Sequence, residues 1–472
     1  MSQCGGDRHP ITIDILTDNV LLEIFDFYRS TNGDILWEWH LLVHVCRRWR
    51  QIIFQSPHRL DLKIRCTSTT PVRENLGIWP TFPIAIDFSI KASIDTIPDD
   101  AIAAFEHNNR VGYLRLDLTE LPFKPFATLL ATVTSKPFPV LTHLIIRVKD
   151  GFGLLLHGNF LGGSAPRLQM IHLRGITFPA LQTLLMSASD LVELQLRRMP
   201  PAGHILPVPM AMCLADLPRL KTLVLRFQLI AFTSGPIHPP PVTRTVLPAL
   251  TSFEFRGTSQ YLEDFVAHID CPRLNQITIY YLTQGAELQV EQLVRFLNHS
   301  LGPEIFPFRH AKVRFDGHGV TFDLYGPTNH IGWDSRPATT VISCRRMDWH
   351  LFRMLNKFSA ILSTVVDFKI MGTFWAGHIL SDEYNLDWLH YLRQLPALQT
   401  LYVSQPLAEQ IGNALKSFKG EVVAEALPSL DLICLEDQAL SLEEFVAFRQ
   451  LSDCPLTVVS TEAEFDLRLG EK

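Results

Sequence analysis

Five arginines recur along the middle of the sequence at a nearly constant interval, and their side chains could bind an anion. Guanidinium groups bind carboxylates and phosphates through paired hydrogen bonds. Successive members are 27, 23, 29 and 30 residues apart. A repeated fold would align them and place like charges side by side, which favours an anionic ligand: an acidic or phosphorylated protein segment, or a small polyanion. The five residues are Arg147, Arg174, Arg197, Arg226 and Arg256.

A less specific interpretation of these arginines stays open. Each side chain could extend into solvent or pair with a neighbouring carboxylate, and Glu193 and Glu254 are close in sequence. In that case the five arginines are ordinary surface residues whose charges are solvated or paired.

Few other residues form a pattern typical of catalysis or metal binding. His40 and His44 have the spacing of two metal ligands on a helix, but no glutamate completes the H-E-x-x-H pattern. The glycines of 151–153 lack the spacing of a nucleotide-binding loop. Asp99-Asp100 stands at a predicted helix start, where the helix dipole favours acidic groups. We therefore expect no enzyme activity, no cofactor and no metal site. A hydrolase-type or transferase enzyme is an alternative that a deep pocket with clustered titratable groups would favour.

The element that must position the arginines is a repeat. Nine segments fit the pattern L-x-x-L-x-L with apolar substitutions, and their first residues, called anchors here, are Val111, Leu141, Leu168, Leu191, Leu220, Leu250, Leu274, Leu398 and Leu430. Seven of the nine have a proline two positions earlier, namely Pro139, Pro166, Pro218, Pro248, Pro272, Pro396 and Pro428. Proline ends the preceding helix, and the residues after it enter an extended strand.

One strand and one helix in every ~25–30 residues predict a parallel-stranded solenoid, because a single unit cannot bury its own apolar face. Each arginine comes six residues after its anchor, on the opposite side of the strand, so the five would line the concave face about 4.8 Å apart. The pattern resembles a leucine-rich repeat. The usual asparagine or cysteine after the strand is replaced by Lys149, Ile176, Met199, Gln228 and Thr258, so we expect an irregular horseshoe.

Between Leu274 and Leu398 the period fades. Residues 313–315, 320–324 and 341–344 predict short strands, the first two joined by a hairpin at Asp316-Gly317. Val365, Phe368 and Ile370 predict one degenerate unit.

The first 56 residues predict two amphipathic helices. Asp18 can cap a helix from about Asn19 to Tyr28, whose apolar residues cover an arc of roughly 220°. One buried face needs only about 100°, so the excess suggests that another side meets a partner. The second helix is expected from Trp39 to Phe54, ended by Ser56-Pro57.

These two segments, LTDNVLLEIFDFY and LLVHVCRRWRQIIF, resemble an F-box, and the run from Val45 to Trp49 matches the second half of its pattern. Thr17 stands where the family usually has proline, and Ser30–Glu38 lengthens the link between the helices. The residues that follow further resemble a group of fungal (basidiomycete-type) F-box-like proteins.

The resemblance implies a substrate-recognition adaptor of a cullin–RING (SCF-type) ubiquitin ligase. The F-box-like helices would dock on the small adaptor subunit, and the solenoid would bind a target protein, acidic or phosphorylated if the arginines contact it. We expect Trp49 to be internal. The expected docking residues are Leu16, Val20, Leu21, Ile24, Phe25, Leu42, Val43 and Cys46. The alternative is a ligase-independent scaffold or sensor whose N-terminal helices cap the solenoid and whose concave face binds a protein or polyanion.

Composition and sequence features limit the classes of protein to which the chain could belong. The 472 residues carry a net charge of -6, which does not favour a nucleic-acid binder. No apolar run is long enough to span a membrane, no secretory signal is recognisable, and the eight cysteines are scattered, which favours a cytoplasmic or nuclear protein. The predicted division is an all-α F-box-like domain (11–56), a connecting segment with the first irregular repeats (57–110), and an α/β solenoid (111–460) with an irregular section (283–364).

Overall fold

The computed structural model describes twenty segments of the chain. They are residues 13–31, 39–56, 59–60, 62–67, 72–78, 82–88, 99–119, 135–149, 154–228, 243–282, 289–301, 307–316, 319–326, 340–345, 358–372, 388–417, 427–436, 446–447, 449–450 and 456–459.

Within these segments, sixteen strands form one sheet, and four short strands form two further pairs. The strands are β1 Ile64–Cys66, β2 Ile84–Phe88, β3 Val111–Leu118, β4 His143–Val148, β5 Leu154–Leu155, β6 Met170–Arg174, β7 Ile176–Thr177, β8 Glu193–Met199, β9 Thr222–Phe227, β10 Thr245–Val246, β11 Ser252–Gly257, β12 Ile269–Asp270, β13 Gln276–Leu282, β14 His310–Asp316, β15 Gly319–Tyr325, β16 Thr340–Arg345, β17 Asp367–Gly372, β18 Thr400–Val403, β19 Leu432–Leu435 and β20 Thr457–Val459. The order in the large sheet is β1-β2-β3-β4-β6-β8-β9-β11-β13-β16-β15-β14-β17-β18-β19-β20. This is a mixed α/β, solenoid-like fold.

The anchors enter the sheet through a repeated turn. The backbone N–H of Leu141 donates to the carbonyl of Phe138 at 3.2 Å, and that of Leu220 donates to Leu217 at 3.2 Å. In each case the proline, Pro139 or Pro218, is the second residue of the turn, where its fixed φ suits the backbone. The repeated proline therefore shapes the turn before seven of the nine anchors, and all nine anchors are buried.

Backbone carbonyls tie neighbouring units together. The carbonyl of Gln169 accepts from the N–H groups of Val192 at 2.8 Å and Glu193 at 3.0 Å, and the carbonyl of Thr251 accepts in the same way from Asn275 and Gln276. These contacts run from unit to unit without the asparagine of a regular leucine-rich repeat.

The irregular section contains an antiparallel insertion. β14 pairs with β15 and β15 with β16 in antiparallel register, whereas β16 is parallel to β13 and β14 is parallel to β17. The three predicted strands are thus confirmed. Val365 ends the turn before β17, and β17, which carries Phe368 and Ile370, continues the parallel sheet as the predicted degenerate unit. Residues 317–318 of the expected hairpin lie outside the described residues.

Helices cover the side of the sheet on which the anchors lie. Among the described residues, most buried apolar side chains form one large cluster, and Tyr402 and Cys434 form a small second one. Beyond the N-terminal ones, the helices are Val72–Ile78, Asp99–Glu106, Leu181–Ser187, Pro207–Ala215, Ser259–Ala267, Glu291–Ser300, Ser359–Leu362, Trp388–Leu392 and Gln405–Ser417. Short 3-10 helices occur at Ile13–Ile15, Asn108–Arg110, Phe160–Gly163 and Pro201–Gly203.

Three N-terminal helices precede the sheet: α1 Asp18–Thr31, α2 Trp39–Val43 and α3 Arg47–Gln55. The predicted single helix over 39–54 is therefore corrected to two. Cys46 is extended (φ -155°, ψ 170°) and caps α3, its Sγ accepting from the N–H of Trp49 at 3.4 Å. The sheet begins at Ile64, inside the predicted connecting segment, and the predicted domain limits stay predictions.

Candidate functional site

The five predicted arginines form one row across five neighbouring strands. Arg147 on β4 is in register with Arg174 on β6, which is in register with Arg197 on β8. The row continues through Arg226 on β9 to Arg256 on β11. All five side chains are half-buried, and the residue just before each of them on its strand is a fully buried apolar residue. The sequence spacing therefore predicted this alignment, here called the arginine row.

Described carboxylates contact Arg147 and Arg226 of the arginine row. Asp117, the register partner of Arg147 on β3, lies 3.7 Å from its guanidinium group. Glu254 forms an ion pair with Nε of Arg226. These two ion pairs agree in part with the less specific interpretation, in which the arginines pair with neighbouring carboxylates.

Arg197 lies at the centre of the row. Burial lowers its pKa below the ordinary arginine value. The positive charge of Arg226 lowers that pKa further, as do Arg147 and Arg174, whereas Glu254 opposes the effect. The Nε atom of Arg197 is buried and has no hydrogen-bond partner among the described residues. The fold thus keeps the positive charge of Arg197 close to those of Arg147, Arg174 and Arg226.

A cavity of about 320 Å³ opens beside the row and is called the arginine cavity here. Its lining residues are Arg174, Arg197, Arg198, Arg226, Phe227, Gln228 and Arg256. Four members of the row contribute to it, and Arg147 does not.

Arg198 is the cavity residue that sequence reasoning missed. Strict alternation along a strand would place it on the face opposite Arg197. A shift of register between Arg197 and Met199 makes a bulge, and Arg198 has a φ of 50°. The side chain is exposed and lines the cavity. The adjacent Arg197-Arg198 pair was the available sequence signal, but its bulge was not predictable from period-two alternation.

Two residues before Arg174 and Arg197 on their strands, His172 and Gln195 are register partners, and both contact Glu193. His172 lies 2.9 Å from Glu193 through Nε2, and the amide of Gln195 donates to the same carboxylate. Burial lowers the pKa of His172, although its hydrogen bond and charge interaction with Glu193 act in the opposite direction. Glu193 is therefore engaged by these neighbours.

The predicted docking set is divided by burial. Leu21, Phe25 and Val43 belong to the protein's own core, with exposures of 0%, 1% and 7%. The ring of Phe25 packs against Trp49 with centroids 4.7 Å apart, because this side of α1 faces α3. These three residues cannot line a surface in the folded chain, which corrects the predicted set.

The other predicted docking residues are accessible to different degrees. Leu16 and Leu42 are half-buried against the core, and Val20, Ile24 and Cys46 are exposed. Whether they dock on a partner stays a prediction.

An exposed apolar stripe runs along α1. Val20, Ile24 and Phe27 are spaced for one helical face and are 43%, 42% and 70% exposed. Leu41 and Val45, on and just after α2, are also exposed. Sequence reasoning did not include Phe27, Leu41 or Val45 among the docking residues, although the width of the apolar arc was the signal for such a face.

Local contacts fix the orientation of this stripe. A guanidinium nitrogen of Arg48 donates to Oδ1 of Asp18 at 2.7 Å and to the carbonyl of Leu16 at 2.6 Å. Arg59 forms an ion pair with Glu23. The start of α1 is thereby tied to α3 and to the chain that leads into the sheet.

The remaining motifs have these positions. Asp99 and Asp100 begin a helix as predicted, whereas residues 151–153 and the side chain of His40 lie outside the described part. Among the described residues, no group of three His, Cys, Asp or Glu side chains could hold a metal ion. None of the described helices combines the length and apolar character needed to cross a membrane.

The comparisons assign the chain to no family, and its fold class, a mixed α/β protein with a large, mostly parallel sheet, comes from the structure alone. No family model matches the sequence, and no curated protein matches it. Among solved structures, it is similar to the crystal structure of a Rad7 and Elc1 complex in yeast, with 12% identity over 95% of this chain and 94% of that chain. The TM-score of 0.23 is too low to support an inference about function. The F-box-like module therefore stays a prediction.

Proposed function

We propose that the protein is a non-catalytic, substrate-recognition adaptor of a cullin–RING ubiquitin ligase. The N-terminal helices would dock on the small adaptor subunit, and the concave face of the sheet would bind a target protein. The observation that carries the proposal is the exposed apolar stripe Val20, Ile24 and Phe27 on helices whose sequence resembles an F-box. The protein would work in the cytoplasm or nucleus.

The chemistry of the stripe supports a protein partner of this kind. A helix that only capped the solenoid would direct its apolar residues inward, as Leu21 and Phe25 do. Instead, a second set at helical spacing faces outward. Exposed charges of both signs lie near it in the chain, namely Arg47 shortly after Val45 and Asp18 and Glu23 on α1, so the surface offers an apolar centre with a charged edge. An apolar centre with a charged edge is typical of a surface that binds another protein.

Ile24→Asp tests the docking surface. The change places a carboxylate in a contact that excludes water, and we expect affinity for the adaptor subunit to fall by at least about tenfold. The measurement is co-purification of the full chain with the adaptor subunit, followed by titration.

Met186→Asp is the matched control. Met186 is 60% exposed on the helix Leu181–Ser187, so it receives the same chemical change far from the stripe. Its variant should co-purify normally. Normal co-purification of Ile24→Asp would refute docking through the stripe, and a wild-type chain that does not bind the adaptor subunit would refute the ligase assignment.

The second candidate is a ligase-independent scaffold or sensor. The arginine cavity favours it, because anion binding there needs no adaptor subunit. A wild-type chain that binds an anion but no adaptor subunit would support this function.

A further inference from the structure

The arginine cavity concentrates positive charge. Five of its seven lining residues are arginines, and none of the seven is acidic. Its volume of about 320 Å³ is at the small end of the range for ligand sites, which is about 300–1,000 Å³. A segment of protein chain would extend beyond such a space, whereas a small anion would fill it.

The sheet sets the spacing of the charges. Arg174, Arg197, Arg226 and Arg256 are register partners on adjacent strands. At about 4.8 Å per strand, the four span roughly 14 Å. A phosphoryl group has three strong acceptor oxygens and accepts paired hydrogen bonds from guanidinium groups. One phosphoryl group therefore suits the space between two adjacent arginines, and four arginines suit two.

The bulge adds a further cation at the rim. Arg198 extends from the same strand as Arg197 to the same cavity. Two phosphoryl groups carry about three to four negative charges at neutral pH. This charge would offset the repulsion that lowers the pKa of Arg197.

We propose that the arginine cavity binds a small molecule that carries at least two phosphoryl groups. The proposal deepens the proposed function by naming a ligand class for the concave face, and it does not depend on adaptor docking. Phe227 is almost completely buried and adds an apolar wall, and Gln228 adds an amide. Arg147 does not line the cavity and is not needed for this site, whereas Arg226 lines it and also pairs with Glu254.

Inorganic tripolyphosphate is the probe. Calorimetric titration of the purified full chain, without any ligase subunit and at constant ionic strength, should give an affinity at least about tenfold higher than for orthophosphate or sulfate. Higher salt should weaken binding, because the site acts through charge.

Arg197→Gln should lower the affinity for tripolyphosphate by at least about tenfold, because it removes the central cation. Arg256→Gln is the second variant if the first does not fold, as judged by circular dichroism. Arg219→Gln is the matched control: Arg219 is 69% exposed, pairs with Asp190 and lies outside the cavity, so binding should be unchanged.

Three outcomes would overturn the proposal. The first is equal affinity for tripolyphosphate and sulfate, which would indicate unspecific anion binding. The second is no loss of binding in a folded Arg197→Gln or Arg256→Gln variant. The third is tight binding of a doubly phosphorylated peptide without binding of tripolyphosphate, which would assign the row to a protein segment. Adaptor docking is tested by different variants, so either proposal can fail alone.

Discussion

The environment of Arg197 is determined mainly by its register partners on the two adjacent strands. Arg174 and Arg226 occupy the matching positions on the two adjacent strands, so three cations share one line. Arginine suits such a place because its guanidinium group stays protonated even when its pKa falls. The arginine row therefore stays positively charged at neutral pH and can bind an anion.

Residue spacing alone predicted the members of the row but not the lining of the cavity. Arg174, Arg197, Arg226 and Arg256 followed from their constant distance to an anchor. Arg198 did not, because a bulge depends on one backbone angle that alternation ignores. The pattern also could not separate outward Ile24 from inward Phe25, since both fall within one wide apolar arc.

Cysteine reactivity gives a prediction at this scale. Burial raises the pKa of the Cys66 thiol to about 12, with a smaller contribution from the charge of Asp100. The thiolate is the reactive form, so Cys66 should resist alkylation at pH 8–9, whereas exposed Cys46 should react. Peptide mapping by mass spectrometry after iodoacetamide treatment measures both. Denatured protein, in which both should be labelled, is the control, and rapid labelling of native Cys66 would contradict the burial.

At the scale of elements, backbone turns determine where each strand begins and ends. Pro218 shapes the turn before β9, and the N–H of Gly175, just after β6, donates to the carbonyl of Arg197 at 3.0 Å. Gly175 has a φ of 69°, a conformation that residues with a Cβ atom rarely adopt. This glycine thus links the ends of two strands that carry cavity arginines.

Gly175→Ala should therefore destabilise the protein. The new Cβ would lie 2.9 Å from the carbonyl oxygen of Val148, and the positive φ adds strain. We expect a loss of about 1–3 kcal/mol in the free energy of unfolding, measured by chemical denaturation.

Gly77→Ala is the control with the opposite sign. Gly77 lies in the helix Val72–Ile78, and a Cβ there meets nothing within 4 Å. Alanine favours helix more than glycine does, so stability should stay the same or rise by up to about 1 kcal/mol. Equal destabilisation by both changes would show that the conformation of Gly175 is not the cause.

Elements were predictable where the periodicity was regular. The parallel units followed from it, and even the antiparallel strands were visible as short apolar runs, whereas the turn that each proline shapes was not predicted. Their pairing order was not, because β16 returns beside β13 and leaves β14 to meet β17. The break between α2 and α3 was also missed, since cysteine is not a usual helix cap.

At the scale of the whole molecule, the apolar stripe and the arginine cavity belong to different parts of the fold. α1–α3 precede β1, and the first cavity strand, β6, is four positions from β1 in the sheet order, about 19 Å away. The apolar stripe and the arginine cavity share no residue. Changes at sites this far apart usually have additive effects.

The two surfaces should therefore be separable by mutation. Ile24→Asp should lose adaptor binding and keep the wild-type affinity for tripolyphosphate, while Arg197→Gln should lose tripolyphosphate binding and keep adaptor binding. Calorimetry and co-purification on the same protein preparations measure both. The double variant should show each loss at its single-variant size. If Arg197→Gln also weakened adaptor binding, the two surfaces would be energetically coupled, and the sheet between them would have to transmit a conformational change rather than only separate the sites.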